Sequence, residues 1–228
     1  MNCQNCGNPT VQNFCSNCGQ KRITKRLSLS EFKNDIISTF FNYESVLFKT
    51  IFKIFTNPKQ VVSDYFYGKR KSYFNPIKLL FIVLTIKTIL EFQLNKNTEQ
   101  SRLAFEIINS EYWKLIEIIV LVPLYSFFSY FLFKKYKYNF AEHLVINAYF
   151  LSITSIFVIF IYLLKMSNFF DFRSGQFSLI IGLIIMIWLY ANLYRNKVLI
   201  TILKTILIVF LGMSILFLSI VFISELIG

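Results

Sequence analysis

Residues 203–225, LKTILIVFLGMSILFLSIVFISE, decide the architecture of this chain. Between Lys204 and Glu225 no side chain ionises, and a helix of about 20 predominantly apolar residues is what a hydrocarbon layer about 30 Å thick requires. Working back toward the amino terminus, comparable runs occupy roughly 77–94, 115–133, 143–164 and 177–194, giving five candidate spans. A hydrophobic content of 55% over 228 residues, with a mean hydropathy of +0.54, is too apolar for an ordinary soluble domain.

The other end of the chain has a different chemistry. All four cysteines lie in two matched pairs, Cys3-x-x-Cys6-Gly7 and Cys15-x-x-Cys18-Gly19. A Cys-x-x-Cys turn places two sulfurs on one ion, and the glycine that follows takes the left-handed backbone conformation closing the knuckle. Two knuckles complete a tetrahedral sphere, so Cys3, Cys6, Cys15 and Cys18 are read as the ligands of a structural zinc ion in a ribbon over residues 1–20. The competing reading, redox-active pairs, needs a strand-to-helix junction for which this segment has neither length nor pattern. Four protein thiolates leave no open coordination position, so water activation at this ion is not expected. The expected fold is therefore an all-α integral membrane protein, with about five transmembrane helices preceded by an amphipathic interfacial helix and a short N-terminal zinc ribbon.

The net charge of +12 suggests a nucleic-acid binder until the charges are located. With the amino terminus inside, Lys and Arg through Lys78 contribute twelve inner cations. The loops at Lys134, Lys135 and Lys137 and at Arg195, Lys197 and Lys204 contribute three each. The outer side holds Lys96, Arg102, Lys114, Lys165 and Arg173, interspersed with Glu99, Glu106, Glu111 and Asp171. That asymmetry is the positive-inside pattern. It predicts a multi-pass protein of a bacterial cytoplasmic (inner) membrane, amino terminus cytoplasmic and Gly228 outside. The first 27 residues lack the apolar stretch of a cleavable signal peptide, and a reducing cytoplasm keeps thiols available for metal. Nucleic acid is disfavoured as a partner, because the ribbon offers few stacking aromatics and is tethered to a membrane.

Between ribbon and bundle, residues 21–76 read as a basic connector, an amphipathic segment and a juxtamembrane clamp. Ser28 and Glu31 stand at capping-box spacing ahead of one apolar face running from Leu29 through Phe32, Ile36 and Phe40 to Leu47, Ile51 and Phe55. Asn57-Pro58 reads as an N-cap followed by proline at the first helical position, with Gly68 as the stop, and Asn75-Pro76 repeats the device at the first span. Within the stretch Tyr65 to Pro76, Lys69, Arg70 and Lys71 lie between aromatic residues including Tyr73. Tyrosines favour the interface and each cation near anionic lipid contributes about 1 kcal/mol, so Lys69, Arg70, Lys71 and Tyr73 are candidate headgroup contacts, or simply a topology anchor.

Two further constellations lie in the spans. Lys87 and Glu91 are one helical turn apart in the first, and Glu117 near the outer end of the second reaches a similar depth if the two helices pack antiparallel. Such a charge cluster marks either a solute or proton path or an ion pair holding two helices. Glu142, His143 and Asn147 open the third span, and His143 is the lone histidine. One histidine beside one carboxylate supplies too few ligands for a catalytic metal, so capping or headgroup contact is the plainer reading than acid–base catalysis. Phosphate-binding glycine loops, His-Glu-x-x-His and Gly-x-Ser-x-Gly are absent from the sequence, so the usual sequence grounds for an enzyme are missing.

Taken together, Cys3-Gln4-Asn5-Cys6-Gly7, Phe14-Cys15-Ser16-Asn17-Cys18-Gly19-Gln20-Lys21, the Tyr65–Pro76 stretch and Ala141-Glu142-His143-Leu144-Val145 resemble an uncharacterised bacterial family of zinc-ribbon membrane proteins, the domain of unknown function numbered 3667. The resemblance covers about the first ninety residues and implies zinc and membrane location without any established activity. The expected role is a membrane-anchored zinc-ribbon interaction or scaffold protein in contact with anionic lipid and with an unidentified cytoplasmic or membrane protein partner. The alternative is a small-solute or lipid transporter using Lys87, Glu91 and Glu117.

Overall fold

A computed structural model of the chain describes residues 2–11, 13–21, 29, 46–95, 117–167, 174–194 and 197–227. The connector after Lys21, the Ser28 and Glu31 pair, the amphipathic stretch before Val46, the loops holding Lys96 to Lys114 and Asp171 to Arg173, Arg195 and Gly228 lie outside the described residues.

Helix α1 (Leu47–Thr56) and helix α2 (Pro58–Phe66) fold back on each other through Asn57. The hinge is built as its sequence dictates: the Asn57 side chain accepts the Gln60 N–H at 3.2 Å, and Pro58, which has no N–H to leave orphaned, opens α2. Gly68 ends the hairpin at φ +103°, a conformation that a Cβ would oppose. A 3₁₀ turn, Arg70–Ser72, follows. Asn75 then accepts the N–H groups of Ile77 and Lys78 at 3.0 and 3.1 Å and starts α3 (Pro76–Asn95).

A π-helical turn, Glu117–Leu121, leads into α4 (Val122–Leu132). Pro123 explains the widened turn, because its ring crowds the carbonyl four residues back and it donates no hydrogen bond. After a 3₁₀ turn at Lys134–Tyr136 and a left-handed Lys137, α5 (Phe140–Met166) opens with a reciprocal capping box. In it the Glu142 N–H donates to the Asn139 side chain at 2.9 Å and the Asn139 N–H donates to the Glu142 carboxylate at 2.8 Å. Helices α6 (Ser174–Tyr194) and α7 (Val198–Ile227) complete the chain. No strand occurs among the described residues, only two isolated bridges, Asn2 with Pro9 and Phe14 with Lys21.

The described residues of each predicted span lie in helix, apart from Phe133 at the end of the second. Among the described residues, three stretches are long and apolar enough to cross a membrane: Arg70–Glu91, Phe140–Met166 and Val198–Leu218. The described parts of the second and fourth spans, Ile119–Leu132 and Leu179–Tyr194, are apolar but shorter. Helix α5 is central, packed against α3, α4 and α6, with every residue from Ala141 to Phe150 buried. Helix α7 packs on α6 and α4 and leaves Leu199, Leu203, Phe210 and Phe217 exposed.

The hairpin stands against this bundle. Phe55 meets Phe157 and Trp188 with ring centroids 5.4 and 5.0 Å away, Tyr65 meets Tyr149 edge-on at 5.9 Å, and Phe66 meets Tyr138 at 5.6 Å. Between hairpin and α3 the backbone of Phe74 is held from both sides. Its N–H donates to the Thr50 hydroxyl at 2.8 Å and its carbonyl accepts from the Tyr149 hydroxyl at 2.7 Å.

Candidate metal centre and its surroundings

Each cysteine knuckle closes through backbone hydrogen bonds that its sequence spacing makes available. Gly7 N–H donates to the Cys3 carbonyl and Gly19 N–H to the Cys15 carbonyl, both at 2.8 Å. Cys3 N–H reaches Asn8 at 2.7 Å and Cys15 N–H reaches Gln20 at 2.9 Å. Gly7 and Gly19 take φ of +78° and +66°, the left-handed conformation expected of them. The two knuckles face each other with Cys3 Sγ 3.6 Å from Cys18 Sγ and Cys6 Sγ 3.6 Å from Cys15 Sγ, and all four sulfurs lie within 4.8 Å of one another. A regular tetrahedron with metal–sulfur bonds of about 2.3 Å has edges of about 3.8 Å, so the donor set fits a four-coordinate ion.

Backbone amides are aimed at the sulfurs. The N–H groups of Cys6 and Asn5 lower the Cys3 thiol, and the Asn8 N–H draws Cys6 down to about 6, favouring the thiolate in each case. Burial raises Cys18 to about 11, although the Gln20 N–H and the Asn5 side chain both donate toward its sulfur. Four thiolates this close repel one another, and a divalent cation is what relieves that repulsion. Among the described residues the head has no apolar core to fall back on, since its large hydrophobic side chains, Val11 and Phe14, are 91% and 57% exposed.

The head rests on the basic turn. Lys71 N–H donates to Gln20 Oε1 at 3.0 Å, and the Ser72 hydroxyl donates to Asn5 Oδ1. The candidate headgroup contacts are placed unevenly. Lys69 pairs with Asp64 at 3.0 Å, Tyr73 is buried with its hydroxyl on the same carboxylate at 2.8 Å, Arg70 lies over the Tyr65 ring at 5.8 Å, and the Lys71 side chain is exposed. The turn is thus a structural junction as well as a charged surface.

Lys87 and Glu91 are half-buried, one turn apart on α3, and α3 packs against the π-helical turn that contains Glu117; the Glu117 side chain lies outside the description. The Glu142, His143 and Asn147 group divides. Glu142 is buried and caps α5, and His143 and Asn147 are buried among side chains of α4 and α6. His143 Nδ1 lies 2.9 Å from Ser129 Oγ and 3.5 Å from the Tyr194 hydroxyl. The Asn147 amide donates to the His143 carbonyl at 2.8 Å and to Ser129 Oγ at 3.0 Å, while its oxygen accepts from the Tyr190 hydroxyl at 2.5 Å. His143 Nε2 is buried without a hydrogen-bond partner.

Sequence reasoning missed Ser126, Ser129, Tyr190 and Tyr194 in this cluster. The available signal was two polar residues at i and i+3 in an aromatic helix and two tyrosines one turn apart, each pair sharing a helical face. Around the cluster Phe133 stacks on Tyr190 and Tyr194 at 5.3 and 4.0 Å, and Lys204 lies over the Phe133 ring while its ammonium donates to the Leu132 carbonyl at the end of α4.

Among the described residues, these features define an all-helical architecture with three membrane-length apolar stretches and a four-cysteine head able to hold a metal ion. Residues 44–88 match the model of a family described as a protein of unknown function, DUF3667, which supports the family resemblance across the hairpin, the basic turn and most of α3. No curated protein and no solved structure matches the chain.

Proposed function

We propose that the chain is a multi-pass inner-membrane protein that presents a zinc-loaded head at the cytoplasmic face for protein contact, with the basic turn meeting anionic lipid. The carrying observation is the four-sulfur cluster at tetrahedral spacing, seated directly on the turn that leads into an apolar helix. Zinc suits four thiolates, needs no redox change, and in this closed form gives a small rigid surface at little entropic cost. The sidedness is supported by the helix ends. The starts of α3, α5 and α7 and the ends of α4 and α6 meet through Phe66 with Tyr138, Tyr136 with Tyr194 and Lys204 with Leu132, which gathers Lys71, Lys78, Lys134, Lys135, Lys137 and Lys197 at the end carrying the head. Substituting Cys15→Ser and Cys18→Ser together should release zinc, read by elemental analysis of the purified protein, and abolish partner capture while leaving membrane insertion intact. Unchanged capture by the metal-free variant would refute the recognition role.

A further inference from the structure

The residues that dock the head are built into its cysteine knuckles. Asn5 sits between Cys3 and Cys6 inside the first knuckle, and its Oδ1 receives the Ser72 hydroxyl. Gln20 follows Cys18-Gly19; its carbonyl receives the Cys15 N–H at 2.9 Å, closing the second knuckle, and its Oε1 receives the Lys71 N–H. The Gln20 side chain is itself buried, with its amide nitrogen on the Lys21 carbonyl at 3.0 Å. Both contacts are therefore made by groups whose positions depend on the knuckles, and the knuckles have no apolar core to hold them without an ion.

We propose that metal occupancy of the four-cysteine head locks the basic turn: ion binding fixes Asn5 and Gln20 against Ser72 and Lys71, and metal loss frees the turn Arg70–Ser72 from the head. This rests on the metal reading above and adds a regulated element to it. The receiving side is already organised, because Lys69 and Tyr73 on either flank share the Asp64 carboxylate. What the head adds is the backbone N–H of Lys71 and the hydroxyl of Ser72, the part of the turn nearest the exposed Lys71 ammonium. Coupling of this kind is reciprocal, so an anionic headgroup that displaces the turn from the head must weaken metal binding by the same factor.

The test is amide hydrogen exchange on the full-length chain in detergent micelles, zinc-loaded and after chelation, with bound metal measured on the same samples. Chelation should accelerate exchange at the Lys71 amide by about fivefold or more, the scale set by loss of one backbone-donated hydrogen bond, while peptides of α5 keep their protection. A Gln20→Ala, Ser72→Ala variant should retain stoichiometric zinc yet show fast exchange at Lys71 with or without metal. Equal Lys71 protection before and after chelation, or wild-type protection in the metal-loaded double variant, would overturn the coupling alone. Acceleration extending through α5 would also count against it, by showing general unfolding. Absence of bound metal in the unsubstituted protein would overturn both the coupling and the metal reading beneath it.

Discussion

At the scale of single residues, the chain is governed by polar groups that have few places to go. Asn147 is the clearest case: one amide satisfies the His143 carbonyl, Ser129 and Tyr190 on three different helices, all of it buried. Replacing it with leucine keeps approximate volume but orphans those partners, and should cost about 1–2 kcal/mol, the range for a buried hydrogen-bonding group in such settings. Reversible denaturation in mixed micelles reads that loss, and an Asn147→Leu protein as stable as wild type would remove the cluster from the list of structural determinants. The cysteines obey a different rule, in which each ligand thiol must lose its proton to bind the ion. Metal affinity should therefore fall as pH falls from 8 to 6, by up to about tenfold per unit for each proton displaced, and a competition titration with a chromophoric chelator measures the slope. The cysteine geometry was legible from spacing alone because Cys-x-x-Cys-Gly dictates a local turn. The Asn147 cluster was only half legible, because its serines and tyrosines come from α4 and α6 and nothing local marks which faces of three apolar helices will meet.

At the scale of elements, punctuation was easier to read than packing. Asn57-Pro58, Gly68 and Asn75-Pro76 each start or stop a helix by a backbone requirement confined to a few residues, and each does so in the structure. The folding of the hairpin onto α5 and α6 depends on contacts between distant segments, which periodicity does not encode. One glycine shows how tight those contacts are. A Cβ placed on Gly212 of α7 would come within 2.6 Å of Cδ1 of the Tyr125 ring on α4, a buried aromatic ring with little room to withdraw, whereas a Cβ on Gly182 of α6 meets nothing within 4 Å. Gly212→Ala should accordingly destabilise by about 1–3 kcal/mol through overpacking, and Gly182→Ala should change stability by less than about 0.5 kcal/mol. Thermal denaturation of both variants in the same detergent makes the comparison. Adding Tyr125→Ala should recover part of the Gly212→Ala loss, and a strictly additive double variant would show that α4 and α7 do not press on each other there.

At the scale of the whole molecule, the question is which side of a bilayer each end occupies, and the answer follows from parity once one end is fixed. The head docks on the turn before α3, so head and start of α3 share a side. The Tyr138 and Tyr194 contacts and the Lys204 to Leu132 bond place the α4–α5 and α6–α7 connections at that same end. Cations collect there in the exposed Lys134, Lys135, Lys137 and Lys197, and in the proposed topology the positive-inside bias assigns that end to the cytoplasm. On the proposed count of five crossings, Asn97 and Gly228 are expected on the opposite side. Helix α3 bears the weight of this argument, because Lys87 and Glu91 lie within it and a charged pair is a cost that a crossing helix must relieve by mutual pairing or by packing against its neighbours. Its packing along α5, which is itself a membrane-length helix, favours a full crossing. Single cysteines at Asn97→Cys and Gly228→Cys, in a background with the four native cysteines replaced by serine, should both react with a membrane-impermeant maleimide added to intact cells, and a cysteine at Lys135 should react only after permeabilisation. Protection of Asn97→Cys in intact cells, with Lys135→Cys labelled instead, would mean that α3 turns back before reaching the far side and that every later helix runs the other way.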